Sequence, residues 1–545
     1  MYGRRPPLER RLARAGGTPP SAGPAGLGAV TRNATLAPPA WSTQQSAILA
    51  GALVMCVAAG IAVATNRAIY FAAGLVGLAS LALGLARWRW SVYGLLLFMP
   101  ISGIPIILTY PHTQVAVLLK DFIFVVPAYL GFIVARGRQT WSFAGAPVLA
   151  ICGFAGLVIV QCIPQISNPL VALIGVKVWL FYLPMLFLGY HMLTGRSQLV
   201  RLLGAMSWAG CVPLVLGIVE AALLVRGYSA TVYSWYGAAA QSATQDFSDV
   251  GSGLGVSLRR VPSTFSFVAQ YYDFASVMVV VAFGWWRLSG SRLGLIPLTL
   301  ALLGSFTTGA RAAFILTPLL VGLTVILAGR YLQGAAMTLA LGLGWAVGLG
   351  ILGLNANDMV STAVSVGGGE VSQGFVNGIP RALGLTLTGF GTGQATGASR
   401  YALDPSALTA GVSFSESWWV KTIIELGLAG LVMLVILLGT LVVRAFRSHV
   451  SLSDGGLRAL SAGFLALLLW ALVYAVKGAE IDLDPIDVYF WLFAGMLLRL
   501  PGIATRVHGG SSSSVAWRRG ISSPADDEHL EPARLIGTPT TGRSC

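Results

Sequence analysis

The side chains able to do chemistry in this chain are few, and most are cationic. Arg259 and Arg260 stand together before Val261-Pro262-Ser263-Thr264-Phe265, and Arg311 closes the small-residue run Ser305-Phe306-Thr307-Thr308-Gly309-Ala310. Lys120 and Lys177 lie inside apolar stretches, while Arg381, Arg400 and Glu416 share one long hydrophilic stretch. A guanidinium is planar and offers two parallel charge-assisted bonds to phosphate oxygens, so converging arginines suit a pyrophosphate. Glu416 stands beside Trp418 and Trp419. Apolar surroundings raise a carboxylate's proton affinity and make it a usable general base. Each group has a plainer use: snorkelling for Lys120, pairing with Asp121, Glu220 or Asp273 for Lys177, a headgroup anchor for Arg259 and Arg260. For Glu416 it is a favourable place at a helix N-terminus.

The elements that must position these groups are membrane helices. The 545 residues are 55% hydrophobic and only 10% charged, against roughly 25% charged in a soluble domain. The net charge of +15 reflects arginines in tails and short loops, which act as orientation signals; no basic stripe of the nucleic-acid-binding kind is visible. Hydropathy predicts about 12–14 spans: 45–65, 68–86, 91–108, 114–135, 145–163, 171–192, 200–225, 263–286, 293–308, 311–328, 333–354, 419–443, 457–476 and 486–500. Segments 1–42 and 505–545 are poor in aliphatic residues and read as disordered cytoplasmic tails, flanking one transmembrane domain over 43–504.

The arginines then assign the sides. With Arg4, Arg5, Arg10, Arg11 and Arg14 inside, alternate loops receive Arg87 and Arg89, Arg136 and Arg138, Arg196 and Arg201, Arg287 and Arg292, Arg330, and Arg444, Arg447 and Arg458. Both termini are expected in the cytoplasm, and the high Ala, Gly and Arg usage suits a bacterium. Two long loops, 226–262 and 355–418, fall together on the outer face and carry Arg259, Arg260, Arg381, Arg400 and Glu416, while Arg311, Lys120 and Lys177 sit in spans near that same face. Loops of that length are functional or disordered. A cationic site at the outer surface of a helical membrane protein points to an anionic, lipid-linked substrate.

Several chemistries find no support. The five cysteines show no paired spacing, and four lie in apolar spans as small hydrophobes. The five histidines are dispersed, so no metal or other cofactor is expected. Asp482, Asp484 and Asp487 read as a solvated acidic loop, with a divalent-cation site as the alternative. The Gly-rich run at 389–397 lacks the Gly-Lys-Ser/Thr ending of a nucleotide loop and reads as a flexible segment.

In order and side, these motifs resemble the bacterial O-antigen ligase and polymerase superfamily. The resemblance rests on Arg259-Arg260 before a Ser/Thr-Phe span start, the Ser305–Arg311 turn, and Gly389-Phe390-Gly391-Thr392-Gly393. It also rests on Glu416-Ser417-Trp418-Trp419-Val420-Lys421 and on Glu425-Leu426-Gly427-Leu428-Ala429-Gly430-Leu431. It covers roughly 90–500 and implies an all-α polytopic membrane fold of the membrane-glycosyltransferase kind. The activity it implies is transfer or polymerisation of glycan from a polyprenyl-diphosphate donor to a glycan or lipid-linked acceptor, without metal or nucleotide. Arg259, Arg260, Arg311 and Lys177 would then hold the diphosphate, Arg311 and Glu416 would be catalytic, and other polysaccharide-assembly proteins would be partners. Ligases proper carry a His before the span that follows the large loop. None lies between 355 and 418 here, which favours a polymerase or an exopolysaccharide enzyme. The competing class is a transporter or flippase of lipid-linked glycan, which also needs a cationic cavity.

Overall fold

The computed structural model describes residues 68–111, 113–136, 146–244, 249–250, 258–310, 312–351, 361, 364–365, 368–369, 371–396 and 417–518. The chain divides into two compact units, 1–73 and 74–545. The second unit is helical, apart from a two-residue antiparallel pairing of β1 (Asp249–Val250) with β2 (Leu258–Arg259). Among the described residues, eight helical stretches are long and apolar enough to cross a membrane, from Val115–Ala135 to Ile486–Thr505, and two shorter apolar helices join them. That is the build of an all-α, multi-pass membrane protein.

The helices follow the hydropathy closely. The first, α1 (Ala68–Phe98), covers what the sequence divides into two spans and breaks at Arg87, whose backbone leaves helical geometry. Next come α2 (Gln114–Lys120) and α3 (Val126–Arg136), joined by a wide π turn over Asp121–Val125. They are followed by α4 (Ala146–Val160), α5 (Pro169–Leu180), α6 (Met185–Met192) and α7 (Arg196–Val225). After α8 (Ser229–Tyr236) the bundle resumes with α9 (Val268–Ser289), α10 (Leu295–Thr307), α11 (Ala313–Leu327) and α12 (Tyr331–Ile351). A short helix α13 (Gly378–Leu385) precedes α14 (Trp418–Val450), α15 (Gly455–Tyr474) and α16 (Ile486–Arg518). The last helix runs past 505 into the segment read from sequence as a tail. The span expected at 45–65 lies outside the described residues.

Helices α9, α15 and α16 are the most enclosed of the membrane-length helices. Lipid tails are as apolar as leucine, so close helix approach through small residues supplies the packing. A methyl at Gly189 of α6 would sit 2.1 Å from the Leu492 carbonyl oxygen of α16, and one at Gly495 would sit 2.0 Å from the Leu186 carbonyl oxygen. The two glycines form a reciprocal seam.

The bundle has two chemically different ends. At one end, Arg196 at the start of α7 bonds Asp454 at the start of α15, and His449 reaches the Leu327 carbonyl at the foot of α11. This end carries the arginines that sequence sorts to one side. At the other, the start of α14 bonds the end of α15 through Trp418 N–H to the Ala475 carbonyl. There the Val261 amide, just before α9, bonds the Thr308 carbonyl at the end of α10.

Candidate functional site

The polar end is organised by the segment 475–487 between α15 and α16. From sequence this is a solvated acidic loop; the structure places it inside the protein, with Asp487 only 4% exposed. Buried carboxylates need partners, and Lys120 supplies one. Its ammonium lies 3.1 Å from Asp121 Oδ1 and 3.1 Å from Asp484 Oδ1, and it bonds the Tyr182 hydroxyl. Lys120 is 4% exposed, so it is a buried ion-pair member rather than a snorkelling side chain. Asp121 sits on the π turn, accepts the Tyr182 hydroxyl proton at 2.6 Å and pairs with Lys177 at 2.8 Å. Asp487, buried at the start of α16, accepts the Val488 amide at 2.7 Å. Carboxylates and ammoniums from distant parts of the sequence thus meet.

A second ion pair lies beside the first. Lys421 on α14 bonds Asp482 and lies 4.6 Å from the centre of the Trp179 ring, while Trp418 Nε1 donates to Asp482 at 2.9 Å. Burial outweighs these partners and lifts the Asp482 carboxyl above its ordinary range.

The Gly-rich stretch is pinned rather than loose. Glu425 accepts the Gly393 amide at 2.9 Å, the Ala395 amide at 3.0 Å, the Thr396 hydroxyl at 2.9 Å and Trp179 Nε1 at 2.7 Å. With four donors on its two oxygens, this side chain ties the loop, α5 and α14 together. The chain turns back at Gly427, whose φ of +71° interrupts α14. The opened backbone pairs with the loop: Phe390 N–H to the Ile424 carbonyl at 2.8 Å, and Leu428 N–H to the Leu387 carbonyl at 2.9 Å. Non-helical backbone at membrane depth survives only when buried in protein or lining a cavity, and here the loop covers it. That is the physical content of the Glu-Leu-Gly run.

The arginines occupy a third cluster. Arg259 ends β2 opposite Asp249. Arg260 follows, partly buried, its Nε without a hydrogen-bond partner among the described residues. Glu220 of α7 fixes the next turn: it accepts the Tyr236 hydroxyl at 2.5 Å and the Ser263 amide at 3.0 Å, where Ser263 has a φ of +56°. Burial and then the nearby Glu220 charge push the Tyr236 hydroxyl well above its usual proton affinity. A methyl at Gly309 would lie 2.4 Å from the Arg259 carbonyl oxygen, so the turn leading to Arg311 presses against the arginine pair. Asp273 is fully buried and neither of its oxygens has a hydrogen-bond partner among the described residues.

The sequence-derived site residues therefore divide. Arg259 and Arg260 lie together beside the 308–310 turn. Lys177 is separate, 31% exposed and paired with Asp121. Arg381 is exposed on α13. Arg311, Arg400 and Glu416 lie outside the described residues. The sequence offered Asp273 as a partner for Lys177 and read the 482–487 carboxylates as solvated; the structure pairs Lys177 with Asp121 and buries the acidic run between two apolar spans. Among the described residues no group of three or more His, Cys, Asp or Glu is arranged to hold a metal ion. No protein-family model matches the chain, and no curated protein matches it significantly.

Proposed function

We propose that this protein transfers or polymerises glycan from a polyprenyl-diphosphate donor at the polar end of the bundle, in the manner of the O-antigen ligase and polymerase superfamily. One observation carries the reading. Arg260 is a partly buried guanidinium with an unpartnered Nε, seated by the Glu220–Ser263 turn against the segment that leads to Arg311. Preorganised cations in a low-dielectric site stabilise a diphosphate as it leaves. In the reaction, an acceptor hydroxyl attacks the donor's anomeric carbon, and the carbon–oxygen bond to the diphosphate breaks. The leaving group keeps the electron pair and Glu416 takes the hydroxyl proton. The outer face of a bacterial inner membrane is the setting in which such donors accumulate, with other polysaccharide-assembly proteins as partners.

A transporter of lipid-linked glycan is the second reading. Broken helices and buried charges mark transport pathways, and the break at Gly427 and the buried Lys120–Asp121–Asp484 cluster favour it. Purified protein in liposomes with a lipid-linked oligosaccharide donor separates the two. A new glycosidic bond supports the transferase. Movement of intact donor across the bilayer with no such bond replaces it with the transporter.

A further inference from the structure

The arginine-rich end of the bundle holds a cavity of about 860 Å³ between the break in α1 and the first turns of α7. Arg87, Arg89 and Arg201 line it with Trp90, Tyr93 and Gln198, and among the described residues no acidic one lines it. Among the described residues none of the three guanidiniums pairs with a carboxylate: Arg89 reaches only the His191 carbonyl at 3.4 Å and lies 5.5 Å from the Trp88 ring centre. A triple positive charge at a concave surface without counter-charge is a site for an anion.

The walls specify what kind. Gly195 opens α7 in extended conformation without a side-chain cap, and Gly195, Ser197 and Gln198 lie on the cavity wall. The amide-rich, positive end of a 30-residue helix therefore joins the arginines. Gln198 is held between Thr194 and Tyr93, which fixes this wall. On the opposite flank Leu97, 42% exposed, continues the lining along α1 towards the bundle centre, and Trp90, 57% exposed, stands at the rim. A polar mouth at a helix-bundle end, an apolar flank descending from it and a rim tryptophan match an amphiphile standing in the bilayer interface.

We propose that this cavity binds the phosphate headgroup of an anionic phospholipid from the adjoining leaflet, with its acyl chain along Leu97. The site is separate from the polar end and does not depend on the activity proposed there. The test is lipid retention by the full-length protein in native mass spectrometry, with phosphatidylglycerol, phosphatidylcholine or inorganic phosphate added. Wild type should hold phosphatidylglycerol in preference to phosphatidylcholine. R87Q/R201Q should weaken it roughly thirty-fold, the scale of two basic residues acting on an anionic headgroup. R87K/R201K should keep most of the binding, which separates charge loss from misfolding. R330Q/R447Q removes two exposed arginines from the same end outside the cavity and should change little. A photocrosslinker at position 90 should label phosphatidylglycerol. Equal loss in R330Q/R447Q, no loss in R87Q/R201Q, or no label at 90 overturns the proposal. Displacement of the lipid by inorganic phosphate alone also overturns it, in favour of a soluble phosphate ligand.

Discussion

The amide of Gly393 donates to Glu425 Oε2 at 2.9 Å, tying the glycine-rich loop to a carboxylate inside a membrane-length helix. Gly393 can hold this position because its φ is +96° and a methyl there would lie 2.1 Å from the Val171 carbonyl oxygen. One contact thus joins α5, the loop and the break in α14. It also leaves both Glu425 oxygens occupied by donors from the protein itself.

Glu425→Ala should therefore lower stability by at least ~3 kcal/mol, because several buried donors lose their acceptor at about 1–3 kcal/mol each. Glu425→Gln should cost less, since one oxygen remains. Thermal unfolding in detergent measures this, and limited proteolysis should show cleavage near 389–396 in the alanine variant. An alanine variant of wild-type stability with lost activity would instead make Glu425 a chemical participant.

Arg260→Ala should reduce glycan transfer by roughly 10²-fold, the scale for removing one preorganised donor from a developing anion. Arg260→Lys should recover little, because an ammonium lacks the two-pronged geometry. Both variants should keep the parent's thermal stability. Full activity in the alanine variant removes Arg260 from diphosphate binding.

Glu416→Gln should keep donor binding yet slow transfer by on the order of 10²–10⁴, as expected when a general base is lost. Single-turnover transfer alongside a donor-binding isotherm checks this. Normal transfer by Glu416→Gln would shift the search for the base to Asp246, Asp249 and Asp273.

Lys120→Met should destabilise by about 3–5 kcal/mol, because it strands Asp484 without its cation and leaves Asp121 with Lys177 alone. Adding Asp484→Asn should restore part of that loss. A double-mutant cycle on unfolding temperature measures the coupling, and strict additivity would show that the ion pairs contribute nothing jointly.

Asp454 caps α15 through the Leu457 amide at 2.8 Å and bonds Arg196 at 2.7 Å. Burial opposes its ionisation, but the Leu457 amide and Arg196 outweigh that and hold it below the ordinary carboxylate value. Its stabilisation is present above the unfolded value of about 3.9 and is lost as pH falls through the lower folded one. Asp454→Ala should cost about 1 kcal/mol near neutrality, and the gap to wild type should close below about pH 4. A gap that stays constant from pH 7 to pH 3 would exclude the ionised carboxylate as its source.

Hydropathy alone determined that this is a helical membrane protein, because a bilayer forces every spanning segment to satisfy its own backbone and show it as an apolar run. It located most of the helices for the same reason. It also put Arg259-Arg260 and the 305–311 turn on one face, since an even number of crossings separates them. Tertiary structure alone decided the partners of the charges. Asp482, Asp484 and Asp487 read as solvated because charge in a loop looks the same whether water or Lys120 and Lys421 neutralise it. The glycines at 389–393 read as flexible because composition records where a backbone can bend, not that Glu425 holds it bent. The break at Gly427 was invisible in an unbroken apolar run, because hydropathy records side chains and not the carbonyls that a second segment must satisfy. Those pairings arise between residues hundreds of positions apart, and only packing brings them within bonding distance.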